Sequence, residues 1–567
     1  MEKFTQLEYK RPDVGKAKKE MNALVKKFAG ASSYGEARAL YVRGEELSDE
    51  LETMYTVASI RNTMNTSDPF YDSEIRFFNS VMPGYMLVMK KAAKALTESP
   101  YKGDFAREFG SVFLKSAENA QRIMNSRIAL DMVRESNLEQ EYSRTVAACS
   151  TVFRGEQCNF YGLMKHMQNV DRGERKEAFL AWAALYESVS GKLDDIYGKL
   201  TKTRVRMAKK LGFSDYTELA YLNKNRFDYT APDVAAFREQ VRTVIVPVCE
   251  RIYALQQKRL GIDKLHYYDE SLVFPEGNAE PIGDMDDLLE SAQKMYHELS
   301  KETGEFFDFM TEHELFDLAT RPNKHMGGYC TFLNKYKAPF IFSNFNGTSA
   351  DVDVLTHEAG HAFQAYVSSR TLPISAICSS TSEINEIHSM AMEHFAYPYM
   401  NKFFGDKADE YRYAHLCSSL TTIPYLVSVD EYQHKVFEKP EMSAKERRAV
   451  WHGIERKYLP WRDYDGNAFL EEGGFWMQKQ HIFLYPFYYI DYALAQICSF
   501  EFYGRMKKDK EKAWSDYYGL CRAGGSKGYF ELLELAGLHN PFREGSVEAA
   551  VSGVIEEIES SPFSKIN

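Results

Sequence analysis

Residues 355–364 read LTHEAGHAFQ, and three of them could do chemistry together. His357 and His361 are four apart, so on a helix their imidazoles lie on one face about one turn apart and can converge on one cation. Glu358, beside a ligand but pointing elsewhere, is the kind of carboxylate that can take and return a proton. H-E-x-x-H on a helix recurs in zinc hydrolases, with the acid as general base. With 14 His and 81 acidic residues in 567, the pattern arises by chance on the order of once in twenty such chains. The alternative, two ordinary helix histidines, therefore has to be tested against the surrounding sequence.

Thr348 and Asp351 fit the capping pattern that opens a helix, and Asp351 and Asp353 suit the positive end of its dipole. Gly360 lies inside that helix, where glycine costs about 1 kcal/mol relative to alanine, and a missing side chain there would let another helix come close. A zinc hydrolase needs a third protein ligand and an open position for water. The extended pattern with Gly at 364 and His at 367 is excluded, because those positions are Gln364 and Val367. Glu383, Glu386 and Glu393 in SEINEIHSMAMEH are the acidic candidates, and spacing alone does not choose among them. His388 could orient a ligand or face a cleft, and Asp353, one turn before His357, could accept a hydrogen bond from it.

The elements that must position these residues are mostly helical. Periodicity predicts helices over 35–61, 104–136 and 174–210, with Gly212 as a left-handed cap and a new helix opening near Ser214. The Lys and Arg residues ending that third helix complement its dipole and need no phosphate. Residues 262–285 lose the helical pattern, and helices resume at 286–303. Strands are expected only at 327–345, as runs 329–333 and 339–345 flanking a polar link, and an exposed strand edge can bind an extended peptide through main-chain hydrogen bonds. Gly473 and Gly474 suggest either a mobile loop or a plain surface turn.

A net charge of -11 argues against nucleic acid as a partner. The N-terminus lacks an apolar export segment, and no run approaches the roughly 20 apolar residues of a membrane span. The expectation is a cytoplasmic protein without a membrane partner, monomeric or weakly homo-oligomeric. Eight scattered cysteines with no C-x-x-C pair read as reduced core residues and argue against a thiolate zinc site.

The run from Asp351 to His361, DVDVLTHEAGH, followed by NEIHS from Asn385 to Ser389, resembles the M3 family of zinc metallopeptidases, especially its bacterial oligoendopeptidase F branch. RMAKKLGFSDYTELA, APFIFSNF and HIFLYPFYYIDYALA at 481–495 extend the likeness over most of the chain. Ala359 stands where many members carry Phe, at a position that is not a ligand.

The resemblance implies that Glu386 is the third ligand, joining His357 and His361 around a single zinc ion, with Glu358 as the base. It implies that His481 and Tyr492 donate to substrate or to the developing oxyanion, with Tyr489 beside them, although a packed aromatic stripe is the alternative for these tyrosines. Tyr488 and, on the strand segment, Phe342 would contact substrate. The implied fold is mainly α, two helical lobes around a deep substrate channel with a small sheet beside the zinc-motif helix. We divide it into an N-terminal lobe, 1–200, and a catalytic region, 201–567, whose zinc-binding core spans about 325–400. The implied activity is endopeptidase action on short unstructured oligopeptides. The rivals are a zinc carboxypeptidase or dipeptidyl carboxypeptidase with the same site, and a non-catalytic helical peptide-binding protein.

Overall fold

The computed structural model describes residues 1–321, 323–325 and 327–565. The chain forms two compact units, each made of three separate stretches. The first contains Met1–Met124, Glu280–Ala408 and Glu501–His539, and the second Asn125–Ala279, Asp409–Phe500 and Asn540–Asn567. A boundary near residue 200 does not match this division, because it falls inside the 40-residue helix Arg172–Leu211. An unbroken helix cannot act as a linker, so the units are built by the chain leaving and returning.

The first unit opens with the helices Val14–Ala29, Tyr34–Met64 and Pro69–Glu98. The expected helix at 35–61 is one continuous element whose N-terminus is capped by Ser33, which accepts from the Glu36 N–H at 3.3 Å. Met21, Leu47, Leu51, Phe78 and Tyr85 form the core of these helices. Phe28, Phe105, Phe109 and Phe113 pack with Ile374 and Ile377, which follow the H-E-x-x-H helix in sequence, so the N-terminal helices brace that region. The helix predicted over 104–136 is broken at Gly110, whose φ of +99° and contact with the Ser526 carbonyl leave no room for a Cβ.

The sheet of this unit has three strands in the order Phe316–Ala319, Ala338–Phe345, Tyr329–Leu333. The expected hairpin is present as the antiparallel pair, Tyr329 opposite Phe342 and Leu333 opposite Ala338, turning through Lys337 at φ +49°. Phe316–Ala319 joins in parallel on the other side. Four residues reading FDLA directly after a helix carry too short an alternation to announce a strand. Its presence makes Ala338–Phe345 a central strand, buried on both faces, and leaves Tyr329–Leu333 as the half-exposed edge.

In the second unit the helix Arg172–Leu211 ends at Gly212 with φ 90° and ψ 13°, as expected, and Asp215 caps the next helix, Tyr216–Asn223. Its basic residues are paired with acids: Arg204 bonds Glu135 and Glu139, and Arg206 and Lys210 bond Asp131. A hairpin absent from the sequence expectations, Thr151–Phe153 with Glu156–Cys158, precedes it. The irregular stretch after 262 is stapled by buried Asp269, which accepts from Arg175 at 2.7 Å and Arg172 at 2.8 Å. Gly473 and Gly474 do not lie on the surface. Both are buried, and a Cβ at Gly473 would stand 2.1 Å from the Arg448 carbonyl oxygen. Among the described residues, no helix is long and apolar enough to cross a membrane.

Candidate active site and metal centre

His357, Glu358 and His361 lie on the 22-residue helix Ala350–Thr371, and Glu386 lies on Ser382–Ala396, which packs across it. The crossing is close because Gly360 has no side chain: a Cβ there would meet the His388 carbonyl oxygen and Ser389 Cα at 2.6 Å. That approach brings Glu386 Oε2 to 3.4 Å from His357 Nε2 and 3.5 Å from His361 Nε2. Ligand bonds of roughly 2.0–2.2 Å in a tetrahedral site place neighbouring donors about 3.4 Å apart. Glu386 Oε2 stands at that spacing from both imidazole nitrogens, and the three donors lie within 4.8 Å of one another, so the residues present fit a zinc ion. His357 Nδ1 is held by Glu393 Oε1 at 2.6 Å, which turns Nε2 toward the centre, and Ser389 Oγ donates to Glu386 Oε2 at 3.1 Å.

In the second unit, His481 sits on the short helix Gln480–Leu484 and Tyr489 opens the helix Tyr489–Lys508. Between them Phe487 takes φ +59°, a costly conformation for a bulky residue. It is held there because its N–H donates to Gln433 Oε1 at 2.9 Å and its carbonyl accepts from Arg226 at 2.5 Å, while Arg226 also pairs with buried Asp491. The turn gathers the aromatic rings: His481 lies 4.8 Å from Tyr489, 5.9 Å from Tyr488 and 6.1 Å from Tyr492, centroid to centroid. His481, Tyr488 and Tyr492 keep exposed surface, and Lys224 Nζ stands 4.3 Å over the Tyr488 ring.

The peptidase M3 N-terminal domain pattern matches residues 4–124, and the peptidase family M3 pattern matches residues 165–551. The chain belongs to peptidase family M3. An oligoendopeptidase F homolog of Borreliella burgdorferi is 24% identical over 383 residues, 66% of this chain and 62% of that protein. Oligopeptidase PepF of Bacillus subtilis is 22% identical over 55% of this chain and 47% of its own length. The matched region thus spans less than two thirds of either curated relative. The solved structure of PZ peptidase A with an inhibitor is 42% identical, covering 99% of this chain and all of that one, with a TM-score of 0.95. Oligoendopeptidase F from Enterococcus faecium, 15% identical with a TM-score of 0.63, shares the fold. The M3 chain is mostly helical with small mixed sheets, as the resemblance implied.

Against this geometry the expected site residues of the M3 chain separate into groups. His357, His361 and Glu386 come together, and Glu358 is half-buried beside them. Burial raises the Glu358 carboxyl above its ordinary range, opposed by the two imidazoles and by a hydrogen bond from the Cys330 backbone. Burial also acts to raise Glu386, but the charges and hydrogen bonds of His361 and His357 prevail and hold it well below the usual range. Glu383 is buried at the start of the same helix and is not in the cluster.

Three expectations change. Phe342 has no surface for substrate, since it is fully buried on the central strand and stacks on Tyr329 at 4.8 Å. Tyr489 is buried against Tyr425, with Lys479 over its ring, so it supports Tyr488 and Tyr492 from beneath. The acceptor on His357 Nδ1 is Glu393, while Asp353 and His388 had been open candidates read more readily as ordinary neighbours. Glu393 follows Glu386 by seven residues on the same helical face, a spacing visible in the sequence although its role was not. Finally, Asp351 does not form a capping box with Thr348 but reaches back to the Asn346 and Gly347 N–H groups at 3.0 and 2.7 Å. His388 orients no ligand: it is wholly buried, its carbonyl accepts from Tyr517, and burial pushes its imidazole down to about 3.

Proposed function

We propose that this M3 protein is a zinc-dependent endopeptidase that hydrolyses internal bonds of short, unstructured oligopeptides. The observation carrying the reading is the convergence of His357, His361 and Glu386, with Glu386 Oε2 3.4 and 3.5 Å from the two Nε2 atoms, beside a half-buried carboxylate. A zinc ion held by these three would supply Lewis-acid chemistry, lowering the pKa of a coordinated water toward about 7 and polarising a carbonyl. Glu358, its carboxyl raised by burial, takes the proton from water and returns it to the leaving amine. The half-exposed edge strand Tyr329–Leu333 runs past that carboxylate at Cys330, so an extended peptide added to the edge lays its backbone beside the base. His481, Tyr488 and Tyr492 are proposed to hydrogen-bond the substrate. No two of the eight cysteines form a disulfide, in keeping with a reducing compartment, and a cytoplasmic monomer or weak homo-oligomer is the proposed state.

The test is zinc content and hydrolysis of an internally quenched peptide blocked at both ends, for wild type and Glu358→Gln together. Expected are about one zinc at this cluster in both proteins and a 10²–10⁴-fold lower kcat for the variant. Cleavage only of peptides with a free C-terminal carboxylate would favour a carboxypeptidase, and binding without hydrolysis by the metal-loaded wild type would favour a peptide-binding protein. Normal turnover by Glu358→Gln would end the assignment of the base.

A further inference from the structure

We infer that the second unit carries a separate, non-catalytic binding site for one zinc-class cation, made by Glu156, Cys158 and His166. Glu156 and Cys158 are two apart on one strand and so share a face. Their cross-strand partners Phe153 and Thr151 lie on that face as well. The chain then enters the helix Phe160–His166, capped by Asn159, and its last residue returns over the same face with its ring 4.8 Å from Phe153. One donor atom from each of Glu156, Cys158 and His166 lies within 4.8 Å of the others. Thiolate, imidazole and carboxylate together suit a borderline-soft divalent ion and leave one position for water.

A second observation points the same way. Glu174 Oε1 accepts from His166 Nδ1 at 2.7 Å and from Asn169 Nδ2 at 3.1 Å. That carboxylate holds the His166 ring through Nδ1, the carboxylate–imidazole arrangement found behind metal-bound histidines and seen again in Glu393 and His357. Arg154 is taken up by Glu177 at 2.8 Å and Glu174 at 3.4 Å. Scattered cysteine spacing argued against a thiolate site, but the third ligand here is supplied by folding, not by a C-x-x-C pair.

The test is titration of the metal-stripped full chain with Co²⁺ alone. The His357 cluster has no sulfur ligand, so a thiolate-to-cobalt charge-transfer band in the near ultraviolet reports only a cysteine-bearing site. Expected are two equivalents bound, with the band growing with one of them. Cys158→Ser abolishes both band and equivalent while peptide hydrolysis persists, and Glu174→Gln weakens that equivalent by roughly 10–100-fold. A wild type that binds one equivalent with no thiolate band overturns the site without touching the proposed hydrolase. Survival of the band in Cys158→Ser overturns it too. The wild-type spectrum decides even if a variant folds poorly.

Discussion

The histidine–glutamate cluster and the aromatic cluster of the M3 chain are built by opposite means. The histidine–glutamate cluster stands on two regular helices, and its donors are fixed by spacings of four and seven residues plus one glycine at the crossing. The aromatic cluster stands on an irregular turn, where Phe487 holds a positive φ only because Gln433, Arg226 and Asp491 grip its backbone from elsewhere in the chain. Helical periodicity transmits position along the chain, whereas a strained turn has to be held by tertiary contacts.

Breaking the turn should cost most. Arg226→Met removes the closer ion pair of buried Asp491, leaving Lys224 at 3.8 Å, and should lower stability by up to about 3–5 kcal/mol in chemical denaturation, with zinc affinity of the folded protein unchanged. Loss of zinc by the folded variant would mean the clusters are not independently built.

A pH-dependent effect is expected in the aromatic region. Glu455, buried and bonded by Tyr464 and Trp451, is pushed up to about 7 by burial. A carboxyl whose folded pKa exceeds its unfolded value contributes stability that is full below about 4.5 and is lost as pH rises through 7. The loss is about 3 kcal/mol. Glu455→Gln should flatten the stability profile between pH 4.5 and 7, and an unchanged slope would show that Glu455 is not its source.

On the helical side, Glu393→Gln should reduce zinc affinity by roughly 10–100-fold while leaving the three ligands in place. If affinity does not change, the hydrogen bond to His357 does not orient the ring. The smallest effect sharpens the role of the crossing: Gly360→Ala forces a methyl against the His388 and Ser389 backbone and should cost about 1–3 kcal/mol in thermal unfolding. Zinc binding should weaken alongside, because the helix carrying Glu386 is pushed away.

Much of the cluster was legible in the sequence. The H-E-x-x-H face, the space required at Gly360 and the shared face of Glu386 and Glu393 all follow from helical geometry. Which of those glutamates becomes ligand and which orients His357 did not, because periodicity names a face but not the neighbour facing it. Phe342 was misjudged for a related reason: whether a strand is edge or centre depends on a third strand, Phe316–Ala319, too short to announce itself. Tyr488 and Tyr489 are adjacent in sequence, and only the Phe487 turn decides that one is exposed and the other buried.

The sequence by itself determined the donor types, their register along each helix and the family to which the chain belongs. Tertiary structure alone decided the remainder: the edge strand beside Glu358, the carboxylate behind His357, the exposed tyrosines, and the meeting of Cys158 with His166. The physical reason is that backbone periodicity acts over a few residues, whereas these arrangements depend on which elements share a core, and that is settled only when apolar faces far apart in the chain are buried together.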